Sequence, residues 1–234
     1  MASSFDLGLG LEGTHIVVTG GLGLIGRVVS HAFLSAGCNV SILDTADSQT
    51  IDAPELQSPT LVAYKTNITD PSQIHQAFSD AEARFGPVQT CVALASLDLS
   101  VLPQSESLAD MDPEAWKRVF DVNVHGTFVT CQRWLQGIRK AATNPAVAPE
   151  LRNVSLIIMG SEAGRFGVRT MAAYAAGKSA VQEGLMRSLA QDAPRLFARA
   201  RVNAVAPGAV DTARFKEECE RYGEGFQWRE CEAT

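Results

Sequence analysis

At 234 residues and 46% hydrophobic composition, the chain can bury the core of one α/β domain or two small ones. Its net charge of -6 excludes general nucleic-acid binding, which needs a basic footprint. No apolar run is long enough to span a membrane, and the start Met1-Ala-Ser-Ser-Phe-Asp lacks the basic and apolar segments of a signal peptide.

Strand and helix patterns alternate. Residues 15–19, His-Ile-Val-Val-Thr, are a largely β-branched apolar run ending in glycines and predict a buried strand. Residues 24–36 have helical periodicity and stop at Gly37. Strands follow at 40–43 and 60–64. Asp70-Pro71 is an N-cap with proline at the first helical position, and the helix it opens ends at Gly86-Pro87. A fourth strand is predicted over 88–94. Asp112-Pro113 opens a long helix that runs toward Lys140 with a break near Asn123. Two prolines make 144–150 a surface loop. A strand over 154–159, a helix over 170–192 and a strand over 201–205 complete the pattern. This alternation implies an α/β fold: a doubly wound parallel sheet of six strands with helices on both faces, in one domain over 1–234. Ligands of such sheets bind beyond the carboxyl ends of the strands.

The first strand is followed by Thr19-Gly-Gly-Leu-Gly-Leu-Ile-Gly26. Glycines let the backbone turn tightly and approach a pyrophosphate, and the helix N-terminus behind them favours the anion. Gly20, Leu22, Gly23, Leu24, Ile25 and Gly26 are therefore candidate cofactor contacts; the plainer reading is an ordinary strand–helix turn. The second strand ends at Asp44, a residue type that accepts hydrogen bonds from the adenosine ribose and repels a 2′-phosphate. Thr45, Ala46 and Asp47 follow with no basic residue, so NAD(H) is preferred over NADP(H). Tyr174 and Lys178, four residues apart, share one helix face. A lysine cation beside a phenol favours the phenolate and lowers its pKa. The five cysteines include no C-x-x-C pair, so neither a disulfide framework nor a metal site is indicated, and a cytoplasmic location is expected.

With the glycine turn, Asp44 and Tyr174-x-x-x-Lys178 on one chain, the sequence resembles the short-chain dehydrogenase/reductase family over residues 12–215. Asp121-Val-Asn-Val-His-Gly126 looks like the family's segment bearing the active-site asparagine, which implies that role for Asn123. Ile157-Ile-Met-Gly-Ser161 looks like the segment bearing the catalytic serine, which implies that role for Ser161, thirteen positions before Tyr174. The resemblance implies a Rossmann fold and hydride transfer between nicotinamide and a carbonyl or secondary alcohol. It implies that Tyr174 is the acid/base and that Lys178 lowers its pKa and holds the nicotinamide ribose. Ser161 would stabilise the substrate oxygen, and Asn123 would hold a water linking Lys178 to solvent. It also implies that Asn67 and Ile68 lie beside the adenine and Ala93 and Ala95 near the ribose. Pro207, Gly208, Val210 and Thr212 would meet the nicotinamide carboxamide and phosphates. Residues 96–99, 162–169 and the segment after Pro207, including Arg165, Phe166, Arg169, Phe215 and Phe226, are expected to line a pocket for a small alcohol or ketone.

The sequence departs from the family pattern in three places. Leu24 stands where the commoner turn has glycine, with Gly23 one place earlier, as in the family's extended branch. Ala93-Leu-Ala-Ser96 replaces Asn-Asn-Ala-Gly. The chain also stops where the family continues into a further helix and a seventh strand. Residues 213–234 are thus expected to be an incomplete substrate loop and tail, and any homo-oligomer is expected to be weakened. Two alternatives stay open: a catalytically silent or truncated dinucleotide-binding protein, and an extended-branch epimerase or dehydratase.

Overall fold

A computed structural model of the protein describes residues 9–47, 53–98, 101–102, 107–169 and 171–223. In chain order the elements are β1 (His15–Thr19), α1 (Leu24–Ser35), β2 (Asn39–Asp44), β3 (Leu61–Lys65), α2 (Pro71–Phe85) and β4 (Thr90–Ala93). There follow α3 (Pro113–Phe120), α4 (Thr127–Ala142), β5 (Ser155–Met159), the single turn α5 (Ala163–Phe166) and α6 (Ala172–Ser179). The last are α7 (Met186–Leu196), β6 (Arg201–Val205) and α8 (Ala213–Tyr222). The strands form one sheet in the order β3-β2-β1-β4-β5-β6, parallel at every pairing. The order reverses between β1 and β4, and that crevice is where sheets of this kind take a ligand.

Alternate side chains of each strand point to opposite faces. Val17, Leu43, Cys91, Leu156, Ile158 and Val202 meet α2, α4 and α7 through Phe78, Trp134, Ile138 and Leu189. Ile16, Val18, Val40, Ile42 and Val92 face the other way, onto Ile25, Val29 and Phe33 of α1. Helices therefore cover both faces, as the alternating pattern predicts. Asp70 caps α2 by accepting from the Ser72 and Gln73 N–H groups at 2.8 and 3.3 Å, with Pro71 at the first helical position. Buried Arg133 of α4 pairs with Glu82 of α2 at 2.8 Å and ties the two helices together.

The break predicted near Asn123 is a π-helical turn over Asp121–Gly126 between α3 and α4. A second π-helical turn over Ala180–Leu185, which the periodicity does not reveal, joins α6 to α7. Such turns shift the helix register and recur at functional sites. The predicted start at Thr170 lies outside the described residues. The charged segment from Ala213, expected only as part of a tail, forms α8, capped by Thr212, whose hydroxyl accepts from Phe215 N–H at 3.1 Å. Among the described residues β6 pairs only with β5, and Arg201, Asn203 and Val205 on one of its faces are exposed. No described helix is long and apolar enough to cross a membrane.

Candidate active site

At the carboxyl end of β1 the chain turns through Gly20, whose φ of 69° lies in the left-handed region. A side chain there would meet the Ala95 backbone, with its Cβ 2.9 Å from the Ala95 Cα. One turn into α1, a Cβ at Gly26 would collide with the Gly20 carbonyl oxygen. The turn is thus shaped so that only bare backbone fits. Gly23 is the N-cap of α1 and supplies no side-chain cap, so the first-turn N–H groups, among them those of Leu24 and Ile25, face outward as an anion cradle. Leu22 is buried, while Leu24 is exposed at the mouth of the turn. Asp44 ends β2 beside it, accepting from Leu22 N–H and Ala46 N–H, each at 3.0 Å. Each carboxylate oxygen keeps a further lone pair. Bare turn, uncapped helix start and acidic strand end together fit a dinucleotide.

The loop after β4 lacks asparagine amides, but other groups tie it down. The Thr19 hydroxyl accepts from the N–H groups of both Leu94 and Ala95, at 3.1 and 3.2 Å. Asn123 then grips the next residues: its Oδ1 accepts from Leu97 N–H at 2.7 Å and its Nδ2 donates to the Leu97 carbonyl at 2.9 Å. The Asn123 side chain is therefore engaged with Leu97, and its backbone carbonyl accepts from the Thr127 hydroxyl at 2.8 Å. A lone pair of that carbonyl is what Asn123 retains for a water.

Tyr174 and Lys178 lie one turn apart on α6, 8% and 2% exposed, with the ammonium 5.6 Å from the phenol ring centroid. Asn123 abuts the same helix at Gly177, between them. The Lys178 Nζ donates to the carbonyl of Met159, the last residue of β5, at 2.9 Å. Ser161 follows two residues later. Its Oγ accepts from Ala163 N–H at 3.2 Å, while its own N–H donates to Gln182 Oε1 at 2.7 Å. Buried Gln182 is a positioning residue that motif reading missed; its place four residues after Lys178, on the same helix face, was the available signal. Asp98, on the loop after β4, was expected only as pocket lining, yet its charge acts on both Tyr174 and Lys178.

The electrostatics differ from the sequence expectation. Burial pushes the Tyr174 phenol above its usual pKa; the Ser161 hydrogen bond pulls it down and the Asp98 carboxylate pushes it up further. Burial lowers Lys178 to about 8, against a smaller upward pull from Asp98. At pH 7 the site thus holds a neutral phenol beside an ammonium that loses its proton unusually early.

The β6 loop docks onto the serine loop. Glu162 N–H donates to the Pro207 carbonyl at 3.0 Å, and Gly208 sits against the Glu162 carboxylate. Val210 is exposed, and the Thr212 hydroxyl is engaged as the α8 cap. Asn67 is exposed at the end of β3, its Oδ1 taken by the Thr69 N–H and hydroxyl, while Ile68 is buried under Gly126. Asn123, Ser161, Tyr174 and Lys178 thus converge, whereas Asn67 and Thr212 have their side chains committed locally. Of the expected pocket lining, Leu99 and Phe226 lie outside the described residues.

A six-stranded parallel sheet in this order, with a bare glycine turn after β1, defines the Rossmann class of dinucleotide-binding folds. Residues 14–223 match the family model for short chain dehydrogenases, and the chain belongs to that family of oxidoreductases. It is 32% identical to 2-(S)-hydroxypropyl-CoM dehydrogenase 3 of Xanthobacter autotrophicus, over 86% of this chain and 72% of that protein. It is 31% identical to an acetoacetyl-CoA reductase of Synechocystis, over 88% of this chain and 75% of that one. The crystal structure of a 3-ketoacyl-(acyl-carrier-protein) reductase from Brucella melitensis, complexed with NADH, superposes with a TM-score of 0.73. At 20% identity, covering 84% of this chain and 76% of that one, this likeness speaks for the fold.

Proposed function

We propose that the protein is an NAD(H)-preferring oxidoreductase that interconverts a secondary alcohol and a ketone, with Tyr174 as the proton-transfer group. The observation that carries this is the buried Tyr174–Lys178 pair, joined to the Ser161 loop and fixed to the end of β5. Gly20, Leu22, Gly23, Leu24, Ile25 and Gly26 would hold the cofactor pyrophosphate, and Asp44 the adenosine ribose. Asn67, Ile68, Ala93, Ala95, Pro207, Gly208, Val210 and Thr212 complete the proposed cofactor contacts, those of Asn67 and Thr212 through atoms not committed locally. Bound there, a nicotinamide dinucleotide supplies the hydride exchanged with the substrate carbon.

The remaining work falls to the chain's own residues. Ser161 Oγ accepts from Ala163, so its hydroxyl proton is available for the substrate oxygen and stabilises charge developing there. The neutral Tyr174 phenol is poised to donate its proton to that oxygen, and in oxidation it takes the proton back. The Lys178 ammonium has two N–H donors beyond the one on Met159. They favour the transient phenolate and are placed to hold the nicotinamide ribose. The Asn123 carbonyl offers an acceptor for a water through which Lys178 regains its proton.

Titrating the purified protein with NADH and NADPH, by cofactor fluorescence, tests the reading. NADH should bind in the micromolar range and roughly tenfold or more tighter than NADPH, and Asp44→Ala should close that gap. The NADH complex should then be oxidised by a ketone. Absence of NADH binding at millimolar concentration contradicts the reading, and binding without turnover across an alcohol and ketone panel points to a silent dinucleotide-binding protein.

A further inference from the structure

The serine loop leaves β5 through three successive N–H groups, each with its own acceptor. Gly160 N–H donates to the Val205 carbonyl at 2.7 Å and Glu162 N–H to the Pro207 carbonyl at 3.0 Å, so β6 and the loop after it supply both outer partners. Ser161 N–H, between them, is taken by a side chain instead: Gln182 Oε1 accepts from it at 2.7 Å. Gln182 is buried, in the π-helical turn Ala180–Leu185. Its amide lies in a slot between two glycines of the loop. A Cβ on Gly160 would overlap Gln182 Oε1 and lie 3.1 Å from its Cβ and Cδ. A Cβ on Gly164 would lie 2.8 Å from Gln182 Nε2 and 2.7 Å from the backbone nitrogen of Ser179. Bare backbone at both positions lets the loop close around the amide.

The Ser161 side chain is fixed separately, its Oγ accepting from Ala163 N–H at 3.2 Å. A displaced Gln182 amide would strand the Ser161 N–H, which must then find another partner and carry the hydroxyl with it. A shift of that kind weakens stabilisation of charge on a substrate oxygen without touching the glycine turn after β1. Resting on the oxidoreductase reading above, we propose that Gly160 and Gln182 are one positioning unit that sets the reach of the Ser161 hydroxyl, and so governs the chemical step rather than cofactor binding.

Variants are compared with the wild type by NADH affinity and by kcat at saturating NADH, with the ketone of the panel that the wild type reduces fastest. Gln182→Met fills the slot without an oxygen acceptor. It should lower kcat by about tenfold to a hundredfold while NADH affinity stays within about twofold. Gln182→Glu keeps an acceptor at the same reach and should retain kcat within about threefold. Gly160→Ala should lose as much as Gln182→Met, because the methyl drives the amide from its place. In Gln182→Ala the slot is open, and adding Gly160→Ala should cost less than about twofold more, as expected of two residues that act as one. Wild-type kcat in Gln182→Met overturns the proposal. So does a Gly160→Ala loss that is the same with and without Gln182. A loss that Gln182→Glu shares in full, or that appears equally in NADH affinity, also overturns it, since either marks a residue that only holds the fold. The two Gln182 variants decide the matter even where Gly160→Ala folds poorly. These results leave the oxidoreductase reading standing, because the wild type is active in each. A wild type that binds NADH and reduces no ketone overturns that reading and the proposal with it.

Discussion

At the β1–β2 end of the sheet, the site is shaped by bare backbone. Gly20 and Gly26 belong to one strand–helix turn, and Asp44 ends the neighbouring strand with its carboxylate on the Leu22 N–H. At the β4–β6 end, groups near the chemistry are held by buried polar side chains. Asn123 holds Leu97 across 26 residues, Gln182 holds Ser161 across 21, and Lys178 holds Met159 across 19. The first end is a steric shape that a dinucleotide backbone can enter. The second is a set of buried polar groups whose charges are tuned by one another. The two should therefore fail separately, and for different physical reasons.

The largest effect is expected at the first end. Alanine in place of glycine inside a helix ordinarily stabilises by about 1 kcal/mol. At Gly26 the added methyl collides with the Gly20 carbonyl, so the sign reverses. Gly26→Ala should lose about 3 kcal/mol in urea denaturation and lose NADH binding with it. A gain in stability there would show that the turn is not packed as described.

At the second end the expected change is smaller and of opposite sign. Lys178 is depressed by burial to about 8 from an ordinary 10.5, so the folded state binds fewer protons than the unfolded chain between those values. Its contribution to stability is present above the unfolded pKa and is lost as pH falls through the folded one. At pH 7 the full cost of burying the ammonium remains. Lys178→Met removes that cost and also the hydrogen bond to Met159, and should stabilise by about 1–2 kcal/mol at pH 7 while abolishing turnover. The advantage should shrink as pH rises from about 8 toward 10.5. An advantage that does not vary with pH would mean that Lys178 is not charged and buried as described.

The same contrast explains what could be read from the sequence. The succession of strands and helices and the Asp70-Pro71 cap follow from periodicity and local signals, because each is set within a few residues. The glycine turn is legible for that reason too. Asn123, Ser161, Tyr174 and Lys178 are legible only as a resemblance, since no local rule ties Ser161 to Tyr174. Gln182 and Asp98 show the limit more sharply. A buried glutamine holding Ser161 and a carboxylate whose field reaches the acid/base pair exist only once α6, β5 and the β4 loop have packed. The direction of the Tyr174 shift was misjudged likewise: the neighbouring lysine is visible in the sequence, but the burial that outweighs it is not.

The central claim is that Tyr174 moves the proton at a site whose cofactor end is independent of it. Its most direct test measures NADH affinity and ketone-dependent NADH oxidation together in Tyr174→Phe. NADH affinity should stay within about twofold of the wild type while kcat falls by roughly a thousandfold. A variant that keeps most of the wild-type turnover would contradict the account.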